Sequence, residues 1–248
     1  MSGHSKWSTI KRKKGAIDAK RSKIFSKLIK EISIAVKESG SVVDSNPRLR
    51  MAIQNAKGVN MPKENIQRAI SKASAEGSNY IETTFEGYAQ GGVAVFVECL
   101  SDNNNRTVSN VRSVFNKRGG SLGTNGSLSF IFDRKGVFTI TKLNIKNLED
   151  IELDIIDAGV EDIEDDGDVY TLYCPLEFFG KVQKKLEELK IEAENAELRR
   201  VPNDTKTLDV ETAQKVMRLI DELEDDDDVQ NVWHNIEMTE ELMNSLEG

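Results

Sequence analysis

Between residues 19 and 39 the apolar positions Ile24, Phe25, Leu28, Ile29, Ile32, Ala35 and Val36 share one arc at about 100° per residue, with Lys20, Lys23, Lys27, Lys30 and Lys37 opposite. The pattern predicts a helix with one face in a core and a lysine stripe in water. Two residues break it: Ile34 sits among the lysines and Arg21 among the apolar positions. Gly40 fits the C′ position that ends the helix. In DSNPRLRMAIQNAKG the Asn-Pro pair predicts a cap and first helical residue, with Leu49, Ala52, Ile53 and Ala56 inward and Gly58 at the end. NMPKENIQRAISKASAEG predicts a third helix, with Pro62 in its first turn and Ile66, Ala69, Ile70 and Ala73 inward. Together they make a small bundle with a basic exterior.

After Gly77 the period changes. TTFEGYAQ and GVAVFVECL predict strands, DNNNRTVSNVRSVFNKRGG a capped helix on Val108, Val111, Val114 and Phe115, and SLSFIFDR a returning strand. From Gly136 the order is strand GVFTITK, helix LEDIELDIIDAG, strands VEDIED and DVYTLYCP, helix FFGKVQKKLEELK, strand AENAELRRV, which is the β-α-β-β-α-β of a ferredoxin-like unit. The helix VETAQKVMRLIDELED and the short strand DVQNVWHNIEM cannot bury their faces alone, and they supply what the earlier β-β-α-β set lacks. The predicted fold class is therefore α+β. A three-helix domain (1–76, including an N-terminal arm) precedes two ferredoxin-like α+β domains, the second (135–205) inserted into the first (77–134 plus 206–248).

Charge follows the same division. Residues 1–76 carry 17 Lys and Arg against 6 Asp and Glu, a net of +11, and the remainder carries 17 against 36, a net of −19. The overall −8 and the pI near 5.1 thus conceal a polycation joined to a polyanion. Cys99 and Cys174 lie in apolar strand-like runs and read as buried reduced thiols of an intracellular protein. No apolar run approaches the roughly 20 residues of a membrane span, and no signal-peptide core is visible. The expected location is cytoplasmic, with no membrane partner.

The candidate chemistry is polyanion binding. Lys6, Lys11, Arg12, Lys13 and Lys14 form a cationic arm in which Trp7 can stack on a base. Lys20, Lys23, Lys27 and Lys30 continue it on the first helix, with Arg48, Arg50, Lys57, Lys63, Arg68 and Lys72 behind. Few of these side chains suit base reading, so preference would come from nucleic-acid shape. RGGSLGTNG, residues 118–126, lacks the Lys-Ser/Thr ending of a P-loop and reads as a connection, with Lys117 and Arg118 as an accessory RNA contact. IEDDGDVY has acids at calcium-loop offsets, but its twelfth position is Tyr173, so a strand-to-strand turn is expected. The acids of ELEDDDD, residues 222–228, would repel nucleic acid or face a basic protein partner. Two histidines and the lack of a nucleophile elbow or HExxH argue against an enzyme, and no metal or cofactor is expected.

GHSKWSTIKRKKGAIDAKRSKIFSKLIKEI, NPRLRMAIQNAKGVNMPKENIQRAI, FEGYAQGGVAVFVECLSDNNNRTVSNVR, FDRKG and DDDDVQNVWHN, in this order and spacing, closely resemble the YebC/PmpR family, which includes a mitochondrial translational activator of cytochrome oxidase. Where relatives often carry a His-Arg or similar basic pair, this chain has Arg12 and Lys13. The resemblance implies three domains around a cavity and a regulatory, non-enzymatic role. Its bacterial members imply a DNA-binding transcriptional regulator. Other members imply a ribosome-associated translation factor that contacts ribosomal or transfer RNA. A protein-interaction module whose basic bundle docks on an acidic protein surface is the third expectation.

Overall fold

The computed structural model describes residues 18–76, 79–145 and 147–247, the side chains of 18–20 and 247 excepted. Helices α1 (Asp18–Ser39), α2 (Pro47–Gly58) and α3 (Lys63–Glu76) pack around Ile32, Leu49, Ala52, Ala56, Ile66 and Ala69. Asn46 ties the first two together. Its Oδ1 accepts from Leu49 N at 2.9 Å to cap α2, and its amide donates to Ala35 O (2.7 Å) and Gly40 O (2.8 Å) at the end of α1. Truncating this buried side chain strips one acceptor and two donors. Asn46→Ala is therefore expected to cost about 2–3 kcal/mol, checked as a lower urea midpoint for unfolding of the helical domain.

The middle domain is a four-stranded antiparallel sheet in the order β3-β1-β2-β8, formed by β1 (Ile81–Ala89), β2 (Val93–Ser101), β3 (Ser121–Leu122) and β8 (Val229–His234). Helices α4 (Asn104–Lys117) and α7 (Val210–Glu224) cover one face, meeting Val95, Val97, Cys99 and Val232. The other face of β2, through Ala94 and Phe96, packs on Leu128 and Phe132. Two covered faces explain why β2 reads as a nearly continuous apolar run, interrupted at Glu98. Helix α8 (Glu240–Glu247), absent from the sequence-based expectation, buries Leu242 and Met243 in the same core.

The third domain has sheet order β5-β6-β4-β7, from β4 (Phe132–Thr141), β5 (Asp162–Asp165), β6 (Val169–Pro175) and β7 (Asn195–Pro202). Its helices α5 (Glu149–Asp157) and α6 (Phe179–Glu188) share one core, where Phe138 and Phe179 stack at 4.7 Å. This is the ferredoxin-like order. The chain passes into and out of the domain side by side, since Phe132 pairs with Pro202 and Asn203 N donates to Ile131 O at 2.8 Å. The expected strand SLSFIFDR is not one element. Residues 124–131 turn, and Phe132 begins β4, which runs on through Gly136 in the third sheet.

Two contacts hold the helical domain. Against the third domain, the Asn55 side chain pairs with the backbone of edge strand β7, donating to Ala196 O (2.8 Å) and accepting from Ala196 N (2.9 Å), while Gln54 donates to Ala193 O (3.1 Å). An amide side chain thus closes a sheet edge that a strand would otherwise seek. Against the middle domain the contact is ionic, and it runs through the predicted lysines. Cys99 and Cys174 are free and buried, and burial pushes both thiols up to about 12.

Candidate nucleic-acid interface

The lysine stripe of α1 does not face open water. Lys23 Nζ donates to Asp225 O and to Asp225 Oδ1, both at 3.0 Å, and Lys27 Nζ donates to Glu224 O at 2.9 Å. Lys30 Nζ reaches Asp227 O (2.7 Å), Asp228 Oδ1 (3.3 Å) and Leu100 O (3.3 Å) and lies 5.4 Å from the Tyr80 ring. One turn further, Ile34 is only 4 % exposed and Lys37 donates to Tyr80 O. The face is covered because α7 ends in carbonyl oxygens and a run of aspartates, an anionic surface that long cationic side chains satisfy. Of the predicted binding residues, Lys23, Lys27 and Lys30 are thus held by the middle domain. Lys6, Trp7, Lys11, Arg12, Lys13, Lys14 and the Lys20 side chain lie outside the described residues.

Asp228 anchors this contact from within. It accepts from Arg106 (Nη2 to Oδ2, 2.8 Å), Thr107 Oγ1 (3.0 Å) and Lys30, and its side chain is 3 % exposed. Burial alone would raise its pKa, but the hydrogen bonds from Arg106, Thr107, Ser101 and Lys30 outweigh that and hold the carboxyl below the usual carboxylate range. Arg48 is also committed, its guanidinium meeting Glu31 (2.8 Å), Glu38 (2.8 Å) and Glu82. Desolvation opposes the Arg48 charge, yet Glu31 and Glu82 raise its pKa. Arg50 donates to Val43 O and Asp44 O in the loop before α2.

Other cations remain open. Lys57, Lys63 and Arg68 are exposed and have no partner among the described residues, and Lys72 meets only Glu76, at 3.9 Å on its own helix. Arg21 Nη2 donates to Asn60 O at 3.3 Å, and Asn60 N donates to Lys57 O at 2.8 Å. Arg21, Lys57 and Lys63 therefore gather at the turn between α2 and α3, beside the start of α1 to which residues 1–17 are joined. The open face of α3 adds Gln67 and Ser71 to Arg68 and Lys72.

The Gly-rich loop is filled by its own anion. The buried Glu86 carboxylate accepts from Gly126 N (2.7 Å) and Leu128 N (2.6 Å), which closes the segment as a connection. Lys117 and Arg118, beside the loop, both donate to Glu222 at 2.6 Å. The acidic sequence at residues 162–167 is strand β5 followed by the β5–β6 turn, in which Asp166 N donates to Val169 O (3.0 Å) and Gly167 has φ +77. Among the described residues no group of three His, Cys, Asp or Glu is placed to hold a metal ion, and no helix is long and apolar enough to cross a membrane.

Sequence reasoning passed over the outer face of α4, where Asn105, Ser109, Arg112, Ser113 and Asn116 line a shallow 740 Å³ groove. The signal was available: no acid occurs between Asp102 and Asp133.

Residues 5–76 match the TACO1/YebC protein N-terminal domain, and residues 80–236 match the TACO1/YebC second and third domain. A probable transcriptional regulatory protein of Amoebophilus asiaticus is 55 % identical over 239 residues, 95 % of this chain and 98 % of that protein. One from Thermotoga maritima, with the same description, is 48 % identical with all of both chains covered. The crystal structure of a conserved hypothetical protein from Aquifex aeolicus superposes with a TM-score of 0.81 at 44 % identity, covering 91 % of this chain and 94 % of that one.

Proposed function

The chain belongs to the TACO1/YebC family, and from that premise we propose that it is a transcriptional regulator that binds promoter DNA through its helical domain. Relatives at 45–55 % identity are described as probable transcriptional regulatory proteins. The observation that carries the reading is the set of open cations, Lys57, Lys63 and Arg68, in a region with a net charge of +11. Cations of this kind neutralise phosphates and release counterions, which gives affinity without a sequence code. The role is binding rather than catalysis, and the middle and third domains hold the bundle in place.

If each of these three residues meets one phosphate of duplex DNA, replacing all of them with Ala flattens the plot of log affinity against log salt by about 2.7, at about 0.9 per contact. Titration of a labelled duplex across a salt series measures it. An unchanged slope removes this face from the binding surface.

A second reading has the same face on ribosomal or transfer RNA. It is favoured by the scarcity of base-reading side chains beside the cations, among which Gln67 is the one amide exposed on α3. Sedimentation of lysate separates the two. Co-migration with the large ribosomal particle supports translation, and a free pool with a footprint on one promoter supports transcription.

A further inference from the structure

We propose that the acidic turn 224–228 is an intramolecular mimic of a phosphate backbone, and that nucleic acid competes with it for Lys23, Lys27 and Lys30. The inference rests on the nucleic-acid reading given above. Three features of the contact carry it.

The first is chemical. The lysines meet a row of acceptor oxygens as they would along a phosphodiester backbone, two of them anionic (Asp225 Oδ1 and Asp228 Oδ1) and three the peptide carbonyls of Glu224, Asp225 and Asp227. The second is dimensional. Lys23 and Lys30 are separated by about 10 Å along the helix axis at 1.5 Å per residue. That is the axial span of about three phosphates on one strand at 3.4 Å each.

The third is the character of the contact. The helical and middle domains keep separate apolar cores, so apart from the buried Ile34 what joins them here is polar, and its ion pairs are screened by salt. It is also graded. The Lys23–Asp225 pair is 43 % and 70 % exposed, and the Lys30–Asp228 pair 14 % and 3 %. The exposed end is where a competing polyanion gains access first, and the buried Lys30–Asp228 pair is the last to open. Asn110 of α4 donates to Asp226 Oδ2 at 2.8 Å, which fixes the turn to the middle domain so that α1 is the partner released.

The test is Asp225→Asn/Asp227→Asn, which neutralises the two exposed acids of the turn. Its control is Asp150→Asn/Asp157→Asn, which makes the same change in net charge on exposed positions of α5. At 50 mM salt the turn variant is expected to bind a 20-base-pair duplex or an RNA hairpin about fivefold more tightly than the control, the scale of the exposed Lys23–Asp225 pair lost together with the nearby charge of Asp227. Adding Lys23→Ala/Lys27→Ala to the turn variant should remove that gain. The inference is overturned if the turn and control variants bind equally, or if the gain survives loss of the two lysines. Should neither wild type nor turn variant bind either probe, the nucleic-acid reading itself falls. Binding with no difference between the two variants removes the competition alone.

Discussion

Asp228→Ala is expected to lower the stability of the middle domain by about 3 kcal/mol, the lower end of the range for breaking a buried ion pair, because Arg106 keeps partial access to water. The carboxylate it removes satisfies Arg106, Thr107 and Lys30 together and is itself buried. Urea unfolding followed by the fluorescence of Trp233 in β8 measures the loss. Asp228→Asn keeps the shape and part of the hydrogen bonding, so its loss should be smaller. The acid dependence has a fixed sign. The native carboxyl is held below its unfolded value near 3.9, so its stabilising contribution is complete above about pH 5 and is lost as pH falls through the folded value. The wild type should therefore weaken on acidification more steeply than Asp228→Asn. Some slope remains in the variant, because the carboxyls of Glu222, Asp209 and Asp165 are also held low by their hydrogen bonds.

The second large effect is expected at Gly58. A Cβ added there would stand 2.0 Å from Glu194 O, a backbone atom that cannot swing aside. In an isolated helix Gly→Ala is favourable by about 1 kcal/mol. Here it should be unfavourable by about 2–3 kcal/mol, because helix α2 must back away from β7 and the paired hydrogen bonds between Asn55 and Ala196 are lost with it. The diagnostic measurement is hydrogen exchange at the Ala196 amide, which Asn55 Oδ1 covers. Unchanged protection of that amide in Gly58→Ala would contradict the proposed clash.

The helices of the basic domain were legible because each carries a 3.6-residue apolar period and a cap or glycine at its ends. The covering of the lysine stripe was half legible. Ile34, the apolar residue that did not belong among lysines, marks the face that lies against protein, and Arg21, the cation on the apolar side, lies over Phe25 and donates to Asn60 O. Nothing local could identify the partner, since Lys23 and Asp225 are 202 positions apart. The first strand of the third domain begins at Phe132, four residues before the expected start at Gly136. Gly136 lies inside β4 where no side chain fits, since a Cβ there would come within 2.6 Å of the Phe179 ring and 2.7 Å of Cys174 Sγ. Conversely, the apolar alternation of SLSFIF suggested a strand, but Glu86 draws the amides of Gly126 and Leu128 onto its carboxylate and bends that segment into turns.

The side-by-side pairing of Phe132 with Pro202 also determines how the third domain is mounted. A unit tethered by one strand could swivel. This one stands on a two-stranded ribbon whose foot is clamped by Arg200, which lies 3.6 Å over the Phe96 ring and bonds Glu98 at 3.0 Å. A ribbon of that kind resists torsion, so the third domain keeps a fixed orientation on the middle sheet, and Asn55, which bonds Ala196 on the same ribbon, takes its bearing from it.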